Sequence, residues 1–320
     1  MKKLNIYLIF LFIITMVLPV FANGRKDKNT DLTQLNISYV KSPFNLQIMV
    51  MKEKQLLEQE FANDGIEIIW HEINSGAKQA EAMAAGSLDI ASVMNSASVI
   101  IANSAGNELD VIDIVSRPEQ TFAVMVMEDG PKTVKDLAGK IVAGPKGTVL
   151  HQMLAAIEEK EDLEGVQLVS MSLPQAQTAL IAGKVDAALL AASLIIKTQA
   201  AGGRILTSSE GYVVPLLLSV SPQSFVENHS DIIDRYTAVQ QKAYEYIQNN
   251  QADAIAIGAE AQGLSNIDAE NLFDRSGIAR EFTKEDLSGL EGDVDFLKNL
   301  DMIENAVEAS CMIGKTLNVK

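Results

Sequence analysis

Cysteine, histidine and tryptophan are scarce in this chain of 320 residues, which has one cysteine, three histidines and one tryptophan. Cys311 has no partner cysteine, so no internal disulfide stabilises the fold. His71, His151 and His229 are far apart, and no cysteine or histidine pair has the spacing of a zinc site. The sequence therefore predicts no metal site and no cofactor.

Positive charge is also in short supply. The 26 Lys and Arg residues stand against 42 Asp and Glu residues, which gives a formal net charge of −16 at pH 7. A polyanionic nucleic acid is therefore not expected as a partner. The net charge does not set the sign of a pocket, which can differ from that of the surface. The twelve methionines are spread over separate elements, and we interpret them as core packing rather than as a soft-metal site.

Long apolar runs are absent except at the start of the chain. Lys2 and Lys3 precede an apolar stretch at 6–20, which is followed by Phe21 and Ala22. This pattern predicts a signal peptide at 1–22, cleaved after Ala22, with a flexible leader at 23–34. A core of about 15 residues is short of the roughly 20 that span a bilayer, which argues against the alternative of an uncleaved anchor. No cysteine lies near the cut, so a lipoprotein is not expected.

The residue pattern predicts an α/β protein. Short apolar runs alternate with alanine-rich helical segments, which is typical of βαβ units and a largely parallel sheet. Strands are predicted at 35–40, 66–71, 88–93, 109–116, 121–127, 141–143, 166–170, 187–190, 204–207 and 213–220. Helices are predicted at 46–63, 77–85, 97–105, 149–159, 175–182, 194–201, 231–249, 251–261 and 283–300.

A heptapeptide occurs twice. Ala-Gly-Ser-Leu-Asp-Ile-Ala at 85–91 returns 97 residues later as Ala-Gly-Lys-Val-Asp-Ala-Ala at 182–188. The period is too long for a solenoid, whose units recur every 20 to 50 residues or so. The repeat therefore indicates two similar α/β lobes that face each other across a cleft.

The repeat leads to a division of the chain. We predict lobe 1 at 35–117, lobe 2 at 118–220, and a helical return segment at 221–320 that packs mainly on lobe 1. Crossings between the lobes are predicted at 116–121 and near 219–222, and two crossings make a hinge for closure around a ligand. A single continuous α/β sheet is the alternative.

The glycine and aspartate of each copy are interpreted as scaffold. Gly86 and Gly183 stand where a helix must end, and glycine takes the left-handed conformation of such an end at no steric cost. Asp89 and Asp186 fall at the turn into the next strand, where a carboxylate can accept hydrogen bonds from nearby backbone N–H groups. We expect neither aspartate to contact a ligand.

The segments around the repeats are the better candidates for a site. Parallel strands end on the ligand side of an open α/β sheet, which places 94–97 and 190–193 there. Helices that begin at 75–77 and 173–175 would present free N–H groups to the same cleft, where they suit an anionic or carbonyl group.

Several motifs in fixed order carry a family resemblance. They are Ser75-Gly76 and the segments 83–91, 133–140, 144–151 and 179–188, which together span about residues 36–206. In these residues the chain resembles the type II periplasmic substrate-binding proteins of ABC importers, in the nitrate, sulfonate and taurine branch. The resemblance implies two Rossmann-like lobes joined by a two-crossing hinge, with a helical C-terminal tail.

The resemblance also implies a function. It implies a periplasmic receptor, expected to be a monomer, that captures a small ligand between its lobes and catalyses no reaction. The receptor would deliver the ligand to an ABC permease in the inner membrane, driven by a cytoplasmic ATPase. Two alternatives are a ligand-sensing partner of a membrane receptor and an enzyme on the same scaffold, similar to a pyrimidine synthase. The enzyme would carry a cysteine-rich motif, which a chain with one cysteine lacks.

The resemblance suggests ligand contacts in the first lobe. Ser42 and Phe44 lie in the loop after the first strand, where Phe44 would pack over the ligand or, alternatively, act as a helix-start staple. Ser75 and Gly76 correspond to the cleft turn of the family, although Ser75 could be a plain N-cap. The remaining candidates there are the small polar residues at a strand end, Asn95 and Ser96.

In the second lobe the candidates follow two strands. Lys146, Gly147 and Thr148 lie where the family opens a helix, and they could hold an anionic head, although Lys146 could equally be solvated. His151 matches a histidine often found in that helix and faces either the cleft or the core. Ala191 and Ala192 replace bulkier residues of relatives, which leaves room for a larger ligand than nitrate or taurine. The expected ligand is a small organic molecule with one anionic or polar end, sulfonate-like or heteroaromatic, in a pocket polar on one wall and apolar on the other.

Overall fold

The structure is a computed structural model that describes residues 32–40, 42, 44–305 and 307–320. The predicted signal peptide at 1–22 and leader residues 23–31 lie outside the described residues. The leader was predicted to run to residue 34, but Gln34 already begins the first strand. The residues from Leu32 to Lys320 form one compact unit.

The described residues form ten strands and twelve helices, with three short 3-10 turns at Ala62–Asp64, Val134–Leu137 and Ala309–Met312. The strands are β1 (Gln34–Tyr39), β2 (Glu67–Glu72), β3 (Ala91–Asn95), β4 (Leu109–Ser116), β5 (Phe122–Met127), β6 (Ile141–Gly144), β7 (Gln167–Ser170), β8 (Ala187–Ala191), β9 (Gly203–Ser208) and β10 (Leu217–Pro222). The helices are α1 (Leu46–Glu53), α2 (Leu56–Phe61), α3 (Gly76–Ala84), α4 (Ser96–Ser104), α5 (Val149–Glu161), α6 (Leu173–Ile181), α7 (Ser193–Ala200), α8 (Gln223–Asn228), α9 (Ser230–Asn249), α10 (Gln251–Gln262), α11 (Asn266–Arg275) and α12 (Lys284–Asn299).

The strands divide between two lobes. The first lobe contains the parallel pair β1-β2 and the sheet β3-β10-β4, which are joined by a bridge between Ile37 and Ile90. The second lobe contains the sheet β7-β6-β8-β5-β9. None of the helices in the described residues is long and apolar enough to cross a bilayer.

The sheets are mixed rather than largely parallel, and this corrects the prediction. β5 runs antiparallel to β8 and β9, and β10 runs antiparallel to β3 and β4. Both β5 and β10 follow a crossing between the lobes, so they start at the edge of the sheet where β8 and β3 end. Phe122 at the start of β5 pairs with Ala191, and Leu217 at the start of β10 pairs with Asn95.

The second crossing lies earlier than predicted. The first crossing falls at 117–121, between β4 and β5, as expected. The second falls at 209–216, because β9 ends at Ser208 and β10 begins only at Leu217. The predicted strand at 213–220 contains Pro215, which has no N–H for a ladder, so pairing starts after it. The predicted end of lobe 2 at residue 220 is therefore wrong, because β10 already belongs to the first lobe.

The C-terminal helices contact first-lobe elements. α9 and α10 both pack on α1, and α12 packs on α4. The helix predicted at 46–63 is broken into α1 and α2 at Gln55, which has a left-handed φ of 52°. The lobe and tail boundaries otherwise stay a prediction.

The two heptapeptides build the same local structure. Gly86 and Gly183 have φ values of 68° and 64°, and each ends a helix as predicted. Asp89 Oδ2 accepts a 2.7 Å hydrogen bond from the N–H of Asn36, and Asp186 Oδ2 accepts one of 2.8 Å from the N–H of Ile141. Both carboxylates therefore bind the start of an adjacent strand, a partner far away in sequence rather than a nearby turn residue.

Candidate functional site

A cavity of about 1230 Å³ lies between the two lobes. Its lining comes from both, for example Ser75 and Asn95 of the first lobe and Thr148 and Ser193 of the second. The two strand pairs described above, Phe122 with Ala191 and Leu217 with Asn95, lie at its base, because all four residues line it. The strand pairing thus places the ends of β3 and β8 and the starts of β5 and β10 at one cavity.

Five helices begin at this cavity. The residues that start them and line the cavity are Ser75 and Gly76 of α3, Asn95 before α4, Thr148 and Val149 of α5, Ser172 and Leu173 of α6, and Ser193 of α7. The first turn of a helix has N–H groups without intrahelical partners and carries the positive end of the helix dipole. The convergence favours a ligand with an anionic or carbonyl group.

Not all of these helix starts have N–H groups available. Asn95 Oδ1 accepts from the N–H of Ser98 in α4 over 3.0 Å and from the N–H of Val149 in α5 over 3.3 Å. At α6, the side chain of Gln175 folds back to the N–H of Ser172 over 3.1 Å. The starts of α3 and α7 have no side-chain cap.

The floor of the cavity is apolar. Val93, Met94, Phe122, Ala191 and Leu217 line it and are buried. Burial of an apolar ligand body against them would contribute roughly 25 cal/mol per Å² of apolar surface removed from water. The arrangement suits a molecule with an apolar part and a polar or charged end.

The charged residues of the lining have a net positive charge. Lys78, Lys146 and Lys197 line the cavity, and Glu72 is the one acidic residue among its described lining. This sign is opposite to the net charge of −16 of the whole chain. The cavity therefore attracts anions in a protein whose surface otherwise repels them.

Seven of the twelve predicted site residues line the cavity. They are Ser42, Ser75, Gly76, Asn95, Lys146, Thr148 and Ala191. Gly76 lies directly against the side chain of Ser98, so a larger residue has no room there. Thr148 directs its hydroxyl to the carbonyl of Pro145 over 3.0 Å, so its side chain shapes the turn before α5.

Two first-lobe predictions are corrected by the structure. Phe44 does not line the cavity: its ring is buried against Gly258 of α10. Ser96 is fully buried, and its hydroxyl donates to Asp293 Oδ2 over 2.8 Å instead of facing a ligand. Both side chains are held by the C-terminal segment, whose position no local pattern indicated.

Three second-lobe predictions are corrected as well. The Gly147 carbonyl accepts from the Ser98 hydroxyl over 3.1 Å, and its N–H donates to His151 Nδ1 over 3.3 Å. His151 thus fastens its own turn instead of lining the cavity, and burial together with nearby Lys146 lowers its pKa. Ala192 is fully buried and lies behind the cavity wall with a φ of 46°.

The described part of the chain contains no group of three His, Cys, Asp or Glu side chains arranged to hold a metal ion.

Comparison with known families matches the family model described as NMT1/THI5 like over residues 60–254, more than half of the chain. The chain belongs to the NMT1/THI5-like family.

Two kinds of relative accompany this family match. A Bacillus subtilis protein described as an aliphatic sulfonates-binding protein is 24% identical over 301 residues, which covers 92% of this chain and 90% of the relative. The solved structure of the alkanesulfonate-binding protein SsuA from Xanthomonas axonopodis pv. citri, bound to MOPS, has a TM-score of 0.80 at 22% identity. It covers 88% of this chain and 98% of its own.

The periplasmic aliphatic sulphonate-binding protein SsuA of Escherichia coli has a similar fold. Its TM-score is 0.75 at 22% identity, with 89% of this chain and 98% of that chain covered. The predicted fold of two α/β lobes with a helical C-terminal region is thereby confirmed for this NMT1/THI5-like protein.

Several residues of the lining were missed by sequence reasoning. Ser193 and Lys197 of α7, Lys78 of α3, and Phe122 and Leu217 at the strand starts all line the cavity. Ser193 belongs to the segment 190–193 that the strand-end rule placed on the ligand side, but it was not among the twelve predicted contacts. Ser193, Ser172, Gln175 and Lys197 add polar groups to the second-lobe wall, which therefore combines polar and apolar residues.

Proposed function

We propose that this protein is a periplasmic solute receptor that binds a small organic anion with a sulfonate-like head between its lobes. It delivers this ligand, as a monomer, to an ABC permease in the inner membrane that is driven by a cytoplasmic ATPase. The observation that carries the proposal is the convergence of five helix starts and three lysines on one interlobe cavity. Dipoles and charges of this sign stabilise an anionic group, and the buried apolar floor accepts the rest of the molecule.

The volume of the cavity favours a ligand larger than nitrate or taurine. About 1230 Å³ is at or above the upper end of ordinary small-molecule pockets, which hold roughly 300 to 1,000 Å³. Nitrate or taurine would leave most of that volume to water. A sulfonate with a longer alkyl or a heterocyclic body fills it better, and the names of the relatives support the same class of ligand.

Binding without chemistry is the better interpretation of the lining. Acyl transfer needs a nucleophile beside a base within hydrogen-bond reach, and proton transfer needs a general acid or base, most often a histidine or a carboxylate. The described lining has no histidine and no cysteine, and its one carboxylate belongs to Glu72. We therefore propose a receptor rather than an enzyme. The predicted signal peptide and the periplasmic names of the relatives support export.

The proposal is tested by thermal unfolding of the mature protein with a ligand panel. The panel contains pentane-1-sulfonate, MOPS, taurine, nitrate and a free pyrimidine, with sodium chloride at equal ionic strength as the control. A ligand that binds only the folded state raises the Tm in a concentration-dependent way, so the larger sulfonates should raise it more than taurine or nitrate. Native mass spectrometry of the freshly purified protein identifies any ligand that co-purifies. A folded protein with no Tm shift across the panel and no co-purified ligand would contradict the proposal.

Delivery to a permease is tested in the source organism. Deletion of the gene should abolish uptake of the labelled ligand and leave ligand-dependent transcription intact. Normal uptake with loss of a transcriptional response would instead identify a sensing protein.

A further inference from the structure

The start of helix α7 has unused hydrogen-bonding capacity inside the cavity. Ser193, its first residue, lines the cavity and is only 7% exposed. The hydroxyl of Ser193 has no hydrogen-bond partner among the described residues. Because the hydroxyl opens into the cavity without a partner in the described part of the protein, it is free to donate a hydrogen bond to a bound ligand.

The backbone before Ser193 has an unusual conformation. Ala192 has a φ of 46° and a ψ of −118°, a region that residues other than glycine rarely adopt. Two hydrogen bonds hold it there: its N–H donates to the carbonyl of Thr121 over 2.9 Å, and its carbonyl accepts from Ile195 over 3.0 Å. The next two N–H groups, those of Ser193 and Leu194, have no partner among the described residues. Such conformations collect at ligand sites, where the surrounding structure holds them.

A positive charge lies one turn further along the same helix. Lys197 follows Ser193 by four residues and also lines the cavity, so both are on one face of α7. Its Nζ donates to the carbonyl of Gln262 over 3.0 Å, at the C-terminal end of α10. The ammonium group is thus held by a single backbone carbonyl, without a carboxylate partner among the described residues.

The other helix starts are less suitable. At α5, where the anionic head was predicted, the N–H groups of Val149 and Gly147 already bond to Asn95 and His151. At α4, the N–H of Ser96 donates to the carbonyl of Leu216 over 3.0 Å. The start of α3 has no cap, but the buried side chain beside it, Gln79, has both its amide groups bonded.

We propose that the start of α7 binds the anionic head of the ligand. The Ser193 hydroxyl and the N–H groups of Ser193 and Leu194 donate to a sulfonate-type oxyanion, and Lys197 supplies the countercharge. The apolar body of the ligand then lies on the floor formed by Phe122 and Leu217. This assignment rests on the proposed receptor function and replaces the predicted anion position at Lys146, Gly147 and Thr148.

The test uses pentane-1-sulfonate and isothermal titration calorimetry on the full mature protein. Ser193→Ala should raise the Kd about tenfold or more, since it removes a hydrogen bond to a charged group. Ser230→Ala, at the exposed first residue of α9 outside the cavity lining, is the matched control and should change the Kd by no more than about threefold. Thr148→Val tests the anion position predicted at the start of α5 and should weaken binding less than Ser193→Ala does. The unliganded Tm of Ser193→Ala should be unchanged or higher, because the hydroxyl has no partner to lose. Equal Kd values for Ser193→Ala and the wild type would overturn the assignment, as would an equal loss in Thr148→Val.

The role of the positive charge of Lys197 is tested by one substitution that removes the charge and one that keeps it. Lys197→Met should weaken binding several-fold and reduce the dependence of the Kd on salt, while Lys197→Arg should retain both. An unchanged salt dependence in Lys197→Met would count against a role for this ammonium group.

The failure of this assignment and the failure of the receptor function are distinguishable. If pentane-1-sulfonate does not bind the wild type, the assignment to α7 is overturned. A neutral or cationic ligand found by native mass spectrometry would also overturn it and would leave the receptor function standing. Only a folded protein that binds nothing fails on both counts.

Discussion

The side-chain amide of Gln152 donates a 2.6 Å hydrogen bond to Oδ1 of Asp293 and so joins α5 of the second lobe to α12 of the C-terminal segment. Oδ2 of the same carboxylate accepts from the hydroxyl of Ser96, in the first lobe. One carboxylate is therefore shared by both lobes. Burial raises the pKa of Asp293, and the hydrogen bonds from Ser96 and Gln152 oppose this rise.

Removal of this shared carboxylate should destabilise the fold. Asp293→Ala leaves the buried donors of Ser96 and Gln152 without partners, and each such loss costs about 1 to 3 kcal/mol. The free energy of unfolding, measured by urea denaturation, should therefore fall by at least about 1 kcal/mol. Asp295→Ala, at an exposed position on the same helix, is the control and should have little effect. Equal effects of the two substitutions would show that the shared carboxylate does not hold the lobes together.

Asp113 should make stability depend on pH. It is 5% exposed in β4, its Oδ2 has no partner among the described residues, and burial raises its pKa to about 7, against the opposing backbone hydrogen bond from Ile114. A raised carboxyl pKa contributes stability that is complete below the unfolded pKa of about 3.8 and is lost as the pH rises through about 7.

Asp113→Asn should therefore reduce the change in unfolding free energy between pH 5 and pH 8, which we expect to be about 1 to 3 kcal/mol in the wild type. Burial raises the pKa of Asp110, in the same strand, to about 6, so the contribution of Asp110 to the slope should remain in the variant. Urea denaturation at both pH values measures it, with the exposed Asp129→Asn as the control. A variant with the wild-type slope would contradict the assignment to Asp113.

A glycine next to the first crossing should tolerate no side chain. Gly277 has a φ of 55°, and a Cβ there would collide with the carbonyl of Arg117, whose N–H donates to the Gly277 carbonyl over 2.8 Å. Gly65 has a similar φ of 69° but open space around it. Gly65→Ala should cost only the left-handed strain of about 1 to 2 kcal/mol, whereas Gly277→Ala should cost clearly more. Thermal unfolding compares the pair, and similar Tm values for both variants would argue against the predicted collision.

Loss of the Asp89 carboxylate should destabilise the protein more than loss of the Asp186 carboxylate. Asp89 Oδ2 accepts from both the backbone N–H and the side-chain amide of Asn36, whereas Asp186 Oδ2 accepts one backbone N–H, that of Ile141. Asp89→Ala should therefore lower the unfolding free energy by about 1 to 3 kcal/mol and Asp186→Ala by about 0.5 to 1.5 kcal/mol. Urea denaturation of the two variants provides the comparison. Lys140 Nζ also lies 3.9 Å from Asp186 Oδ1, but an exposed ion pair of this kind contributes little. A larger loss in Asp186→Ala than in Asp89→Ala would contradict the prediction.

Elements with a regular local pattern were predictable from the sequence. The helices expected at 231–249 and 251–261 match α9 and α10 to within one residue, because their apolar spacing is a property of neighbouring residues. The helix ends at Gly86 and Gly183 were predictable for the same reason. By contrast, the apolar run at 213–220 misled the prediction, because the ladder starts only after Pro215.

What the sequence alone determined, then, is which residues form helices and strands and that helices begin where strands end. Only the tertiary structure decided which of those helix starts face the cavity. Ser96 and Ser193 both open a helix directly after a strand, yet the hydroxyl of Ser96 bonds to Asp293, 197 residues away, while that of Ser193 is left for the cavity. The difference depends on where α12, which contains Asp293, packs. The residues next to either serine in the sequence cannot predict that contact, because it joins segments far apart in the chain.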